Sequence, residues 1–292
     1  MPRSDPAASG GKADYEIAAA TSELIEAAAL ASRPTGEVVP TTYGGRLSLS
    51  ERVPVGLVGV ITPWNFPLVL GMRVIAPALA LGNAVLIKPS PETPLSGGLI
   101  VTEGIARAYT DGLAKRASAI TVGNTVTEDV GLGPMINQRQ LGRAAKLLAD
   151  AVAEGARVVA GGTTKAPFFL PTVVTGVSTG SALWTEEIFA PIAPIVVVKD
   201  ADEAVALAND TGYGLVSSVV TGDLFRGGQL ARQLRWGMAH VNDATPQDEA
   251  SAPFGGIGQS GLGGRAGGDA NLEEFTERRW LTLNPGPLHY PY

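Results

Sequence analysis

The sequence predicts an α/β fold built on parallel strands, and three observations carry that prediction. Val58–Ser90 reads as one βαβ unit. From Asn137 to Asn242, amphipathic helix patterns alternate with short apolar strand patterns. Gly/Pro/Asn pairs punctuate the joints, as Gly82-Asn83 and Gly161-Gly162 do.

The βαβ unit organises the chain. Val58–Thr62 is an apolar, β-branched run between Gly56 and Pro63, the pattern of a buried parallel strand. Pro63-Trp64-Asn65-Phe66-Pro67 is a stiff turn, because each proline fixes φ and lacks an N–H. Leu68–Leu81 is apolar on nearly every face, as a helix between layers must be. Gly82 supplies a left-handed cap, and Ala84–Ile87 is the second strand. A right-handed crossover then places Asn65 and Lys88 at one sheet edge, where open α/β sheets bind ligands.

Before this unit, Met1–Lys12 is polar and Gly/Pro/Ser-rich and reads as a disordered tail. Ala13–Ser32 is an alanine-rich helix with Ile17, Leu24, Ile25 and Ala28 on one stripe. Arg33–Tyr43 is a connector, and Arg46–Val55 is an alternating exposed strand. After the unit, Leu95–Ala108 and Leu113–Ile120 are taken as two helices on the strength of the resemblance described below. Tyr109–Gly112 joins them as one long helix or a hairpin, and Asp111-Gly112 favours a break. Asn137–Gly155 is an amphipathic helix with Leu141, Ala145, Leu148 and Val152 in register. Strands are expected at 157–160, 171–177, 194–198, 215–221, 237–242 and 279–283. Helices start at Asp200, with Glu203 completing a capping box, and at Leu224. Gly255–Gly268 is a glycine-rich loop.

Composition narrows the function classes. The 292 residues are 45% hydrophobic, enough for a sizeable core. Net charge is −6 with acids and bases mixed, so neither nucleic acid nor an anionic membrane is an expected partner. No apolar run has membrane-spanning length, and a cytoplasmic protein is expected. His240 and His289 stand apart without metal-ligand spacing, so no metal is expected, and His240 reads as a hydrogen-bonded strand residue.

Several motifs carry a resemblance. PWNFP followed by ALALGNAVLIKPS resembles the opening of the cofactor domain of the aldehyde dehydrogenases. Gly133-Pro134-Met135-Ile136, Glu186–Pro191 and Ala252–Gly256 follow in that family's order. Asn242-Asp243, Asp248-Glu249, Glu274–Glu277 and His289-Tyr290-Pro291 are similar to the branch acting on benzaldehyde-, vanillin- and salicylaldehyde-type substrates. The resemblance implies a shortened aldehyde-dehydrogenase-like fold: parallel sheets with flanking helices, plus a small β oligomerisation element. It divides the chain into a tail (1–12), a cofactor-domain remnant with the oligomerisation arm (13–108), a catalytic-domain remnant (109–278) and a terminal oligomerisation strand and tail (279–292).

The resemblance also implies roles. Asn65 matches the oxyanion donor, although an Asn between two prolines also suits the turn itself. Lys88 and Glu92 match adenosine-ribose contacts, and Glu187 and Phe189 match nicotinamide-ribose contacts, with Ala190 where the family has glycine. Without a nucleotide, Glu187 becomes a candidate acid/base in an open cleft. Phe66, Leu70, Arg73, Asp248, Glu249 and Phe254 map to the substrate tunnel and its mouth. Arg73 could hold a phenolate or carboxylate, or lie along apolar surface with its head in water.

Against this stands an absence: the sequence holds no cysteine. Covalent aldehyde oxidation in the family attacks with a thiolate, which no other side chain replaces casually. The family's Gly-Ser-Thr pyrophosphate turn, its Glu-Leu-Gly-Gly base segment and its Cys segment are all missing from the sequence. No cofactor is therefore expected, or NAD(P) only weakly. Three readings follow: a carbonyl-binding pocket turned to non-redox chemistry, an NAD(P)-dependent oxidoreductase without a thiolate, or a non-catalytic partner of a full-length relative. A homodimer or dimer of dimers is expected, because Arg46–Val55 and Arg279–Leu283 would otherwise be open edges.

Overall fold

The structure is a computed structural model that describes residues 10–63, 65–88, 98–247 and 249–286. Helix α1 (Gly10–Leu30) packs on α2 (Pro67–Ala80), which connects β3 (Leu57–Ile61) to β4 (Ala84–Lys88). As expected, β3 and β4 are adjacent and parallel, from Leu57 beside Ala84 to Ile61 beside Lys88. Gly82, with φ of 86°, ends α2 in the left-handed region. Asn83 then staples the unit. Its Oδ1 accepts from Gly56 N at 2.8 Å, and its Nδ2 donates to Ala78 O at 3.1 Å and Phe275 O at 3.0 Å.

Two sequence expectations about this layer need correction. The strands read as buried, yet Leu57, Ile61 and Leu86 are 66–76% exposed. Val58, Val60 and Val85 face the core beside α2. The opposite face is exposed because, among the described residues, β3 and β4 form a sheet of two strands, without the neighbours a full sheet supplies. On α1, the buried stripe is Ala13, Glu16, Ala20, Glu23, Ala27 and Leu30, while Ile17, Leu24 and Ile25 are exposed. Small alanines let α1 and α2 approach closely, and the two glutamates meet polar groups of the α2 region. That advantage outweighs burying three larger aliphatics, since a buried polar group with a partner is tolerated.

The N-terminal arm forms β1 (Gly36–Val38) and β2 (Leu47–Pro54). They join β13 (Thr276–Leu283) in an antiparallel sheet of order β1-β2-β13. The terminal strand thus pairs with its own chain, with Arg279 opposite Glu51 and Leu283 opposite Leu47. One edge of β13 is thereby used internally, and its outer edge is unpaired among the described residues.

Residues 98–120 depart from the expected pair of helices. Residues 89–97 lie outside the described residues. Leu99–Thr102, expected within a helix, is strand β5, parallel to β10 (Ile192–Val198). Its Leu-Ile-Val-Thr run is better suited to a half-buried sheet position than to a helix. Helix α3 (Glu103–Ala119) then runs unbroken through Asp111-Gly112, with neither a hairpin nor a second helix. Gly112 sits on the open face with nothing within 4 Å of where a Cβ would lie. Its presence costs the helix only about 1 kcal/mol.

The rest follows the expected α/β order. Helix α4 (Gln138–Ala153) is capped by Asn137, whose Oδ1 accepts from Gln140 N at 2.9 Å. It buries Leu141, Ala144, Leu147, Leu148 and Ala151, whereas Val152 of the expected stripe is exposed. Strands β6 (Arg157–Ala160), β9 (Thr172–Thr175), β10 and β5 make a sheet of order β5-β10-β9-β6, parallel except for β6. Between β6 and β9 lies a short hairpin, β7 (Thr164–Lys165) and β8 (Phe168–Phe169). A single-turn helix, α5 (Ala182–Thr185), precedes β10. Asp200 caps α6 (Ala201–Asn209), accepting from Glu203 N at 2.9 Å. Strand β11 (Val216–Val219), helix α7 (Leu224–Ala231) and strand β12 (Met238–Val241) form a second parallel pair, and α8 (Ala270–Phe275) leads into β13.

Candidate functional site at the end of the first parallel strand

The site begins where β3 ends. Thr62 is buried and its N–H donates to Lys88 O at 3.2 Å, so the carboxyl ends of β3 and β4 stay level. The turn that follows places Asn65 and Phe66 half-buried, with Pro67 opening α2. Glu16, buried in α1, accepts from Leu68 N at 3.0 Å and so satisfies one of the first N–H groups of α2. An acidic group there also suits the helix dipole.

Phe66 anchors a cavity of about 280 Å3, with Lys12, Tyr15, Ala244, Pro246 and Gln247 as the other walls. Tyr15 meets the Phe66 ring edge-on, at 6.2 Å between centroids and 71° between planes. Lys12 Nζ lies 5.0 Å from the same ring centroid. Two of these walls, Lys12 and Tyr15, come from α1 and were not singled out from the sequence. The readable signal was the spacing of Glu16 and Glu23 among alanines, which brings the polar side of α1 against α2.

Arg73 is not a wall of this cavity. It is buried, and its Nε and Nη2 donate to Glu23 Oε1 at 2.8 Å and 2.6 Å. Its guanidinium lies 4.1 Å from the Phe254 ring centroid. Neither sequence reading of Arg73 matches this placement: the guanidinium links α1, α2 and the 250s loop, with its charge turned inward. Leu70 and Phe254 are half-buried, and Glu249 is exposed. Asp248 and Glu92 lie outside the described residues.

The second group sits between α5 and β10. Glu187 is exposed, Ile188 is buried beneath it, and Phe189 adopts φ of 56°. A positive φ on an aromatic residue is uncommon and marks a constrained turn. Arg143 of α4 holds this turn, donating to Glu187 O at 2.7 Å and Glu186 Oε2 at 2.7 Å. Partial burial pushes the Glu187 carboxyl above its ordinary pKa, and Arg143 offsets this in part. A carboxylate so raised suits proton transfer. Lys88, at the end of β4, is exposed and in no ion pair among the described residues.

His240 lies in β12, and its Nε2 is buried with no hydrogen-bond partner among the described residues, contrary to the hydrogen bond expected there. No group of three or more His, Cys, Asp or Glu among the described residues could hold a metal ion. No described helix is long and apolar enough to cross a membrane.

Comparisons with known proteins bear on the whole chain. The aldehyde dehydrogenase family model matches residues 7–101 and 97–281. A vanillin dehydrogenase of Amycolatopsis is 34% identical, covering 97% of this chain and 79% of that protein. A benzaldehyde dehydrogenase [NAD(+)] of Pseudomonas putida is 32% identical over 95% of this chain and 78% of its own length. The solved salicylaldehyde dehydrogenase of Pseudomonas putida G7, complexed with salicylaldehyde, superposes with a TM-score of 0.91. It is 26% identical and matched over 99% of this chain and 82% of its own. The alignment to the Amycolatopsis relative runs over 387 positions, more than this chain's 292 residues, so a long gap interrupts it. The two family-model segments meet at 97–101, ahead of the joint expected at Tyr109–Gly112. Strand β5 begins there.

These findings correct the expectation of no cofactor. A relative matched over 95% of this chain carries NAD(+) in its name, and a betaine aldehyde dehydrogenase of Staphylococcus aureus with the same fold was solved in complex with NAD+. Two of the residues matched to nucleotide contacts, Lys88 and Glu187, are solvent-accessible. An exposed ammonium, Lys88, ends β4, and an exposed carboxylate, Glu187, precedes a constrained turn. Fold, ordered motifs and relatives agree: the chain belongs to the aldehyde dehydrogenase family.

Proposed function

We propose that this protein binds a small aromatic carbonyl compound beside Asn65 and Phe66, binds a nicotinamide dinucleotide through Lys88 and Glu187, and acts without a thioester intermediate. The observation that carries the reading is the pairing of an intact β3–α2–β4 unit with a sequence containing no thiol. A bound nicotinamide supplies hydride-accepting or hydride-donating chemistry. The chain's own residues orient the substrate and move protons. The Asn65 amide N–H donates to a carbonyl oxygen as negative charge builds on it. Glu187, its pKa raised, gives or takes the proton. The apolar ring of Phe66 supports an aryl group, and the names of the relatives support aromatic aldehydes as the ligand class.

Two finer readings share this site. In the first, the protein performs non-redox proton transfer, hydration or isomerisation on the bound carbonyl, which the absence of thiol supports. In the second, it is an NAD(P)-dependent oxidoreductase of oxo groups that works without cysteine, which the NAD(+)-named relative supports. We favour the first as the reaction and retain the nucleotide as a ligand. We also propose a cytoplasmic homodimer or dimer of dimers that uses the outer edge of β13, where Trp280 and Leu283 are exposed. Residues 13–108 and 109–278 remain our proposed division into cofactor and catalytic remnants, with β5 contributing to the catalytic sheet.

Calorimetric titration with NAD+ and NADP+, followed by vanillin with and without nucleotide, tests the proposal. Nucleotide binding that Lys88→Ala and Glu187→Gln each weaken, with no thioester-type oxidation of vanillin, supports it. Enzyme-proportional formation of reduced nucleotide with vanillin oxidised to its acid rejects the reading of the reaction. Absence of nucleotide binding at millimolar concentration rejects the cofactor assignment.

A further inference from the structure

We propose that the groove between the end of α3 and the β7–β8 hairpin is a binding site for a small aromatic monocarboxylate. The groove encloses about 480 Å3, within the usual size range of small-molecule sites. Ile120, Phe168 and Pro171 give it apolar walls, and Ser118 contributes a hydroxyl. Lys165 is the one charged residue among its walls. No carboxylate of the described residues pairs with that ammonium. The groove is walled by the end of α3, the β7–β8 hairpin and the loops beside them, and shares no wall with the cavity at Phe66.

Its walls are held in place. Met135 N donates to Pro167 O at 2.9 Å and ties down the hairpin tip. Leu170 N donates to Thr163 O at 3.0 Å, and Gly162 N to Thr172 Oγ1 at 2.8 Å, closing the hairpin's base. Gly161 has φ of 74°, and a Cβ there would lie 2.1 Å from Pro171 O, so this wall needs glycine. One lysine among apolar walls matches one carboxylate on a ring. A phosphate or dicarboxylate would need further cations or a nest of N–H groups, which these walls do not supply.

The test is calorimetric titration with benzoate, and with benzamide as the neutral isostere, using the full chain. Charge-assisted contact with Lys165 predicts that Lys165→Gln weakens benzoate about tenfold and leaves benzamide within about twofold. Ser118→Trp should abolish both by filling the groove, and the surface variant Lys146→Ala on α4 should change neither. Lys165 and Ser118 are exposed, so thermal melting should stay at the parent value and separate lost binding from lost folding. Unchanged benzoate affinity in Lys165→Gln, loss confined to Phe66→Ala, or no benzoate binding by the parent at millimolar concentration would each overturn the proposal.

Discussion

The Glu23–Arg73 pair should behave as a structural link, and its energetics follow from its surroundings. Both side chains are only 4% exposed. One carboxylate oxygen, Glu23 Oε1, accepts from Nε and Nη2 of Arg73, so Glu23→Gln keeps the shape while removing the charge. Removing one member of a buried pair leaves the other's charge poorly compensated, at a cost of about 3–5 kcal/mol. Other contacts of Arg73 remain, including the Phe254 ring, so the lower end, about 3 kcal/mol, is the expected loss. That is a large share of a native stability of about 5–15 kcal/mol. In urea it should lower the unfolding midpoint by about 1 M with little change in slope. A double-mutant cycle with Arg73→Met, which retains an apolar stem beside Phe254, should give a coupling of about 1.5–3 kcal/mol. A loss below about 1 kcal/mol for Glu23→Gln, with coupling near zero, would refute the buried-pair argument and return Arg73 to the solvent-facing or ligand-facing role.

Asn83→Ala leaves Gly56 N–H without its acceptor and should cost about 2–4 kcal/mol in urea unfolding, whereas a surface change such as Lys146→Ala should cost under about 0.5. Glu187 holds its proton more tightly in the native state than unfolded, so stability declines as pH rises from its ordinary value of 4.5 through its raised native value. Glu187→Gln should therefore match the parent below that window and exceed it above. An identical pH profile for the two proteins would show that the carboxyl is fully solvated. Light scattering at micromolar concentration should give at least a dimer mass, and adding Pro at Trp280 should reduce it if the outer edge of β13 is the contact. A monomer mass for the parent rejects the assembly proposal.

The sequence by itself determined the βαβ unit and the placement of Asn65 and Lys88 at one edge, because these rest on local signals. Prolines fix the turn, Gly82 demands the left-handed region, and an apolar β-branched run has few alternatives to a strand. The ordered motifs likewise revealed the family, and the missing cysteine bounded its chemistry. Tertiary structure decided what depends on distant partners. Leu99–Thr102 became a strand because β10 offered a free parallel edge to a run whose composition suits a sheet, whereas the helix pattern after it invited reading the two as one helix. On α1 the aliphatic stripe lost to an alanine–glutamate stripe, since α2 presents Arg73 and an uncapped N-terminus that only buried carboxylates satisfy. The same contact turned Arg73 inward and brought Lys12 and Tyr15 to Phe66. No periodicity within α1 contains that information. It resides in which polar groups the facing helix leaves unsatisfied, a property of the packed pair.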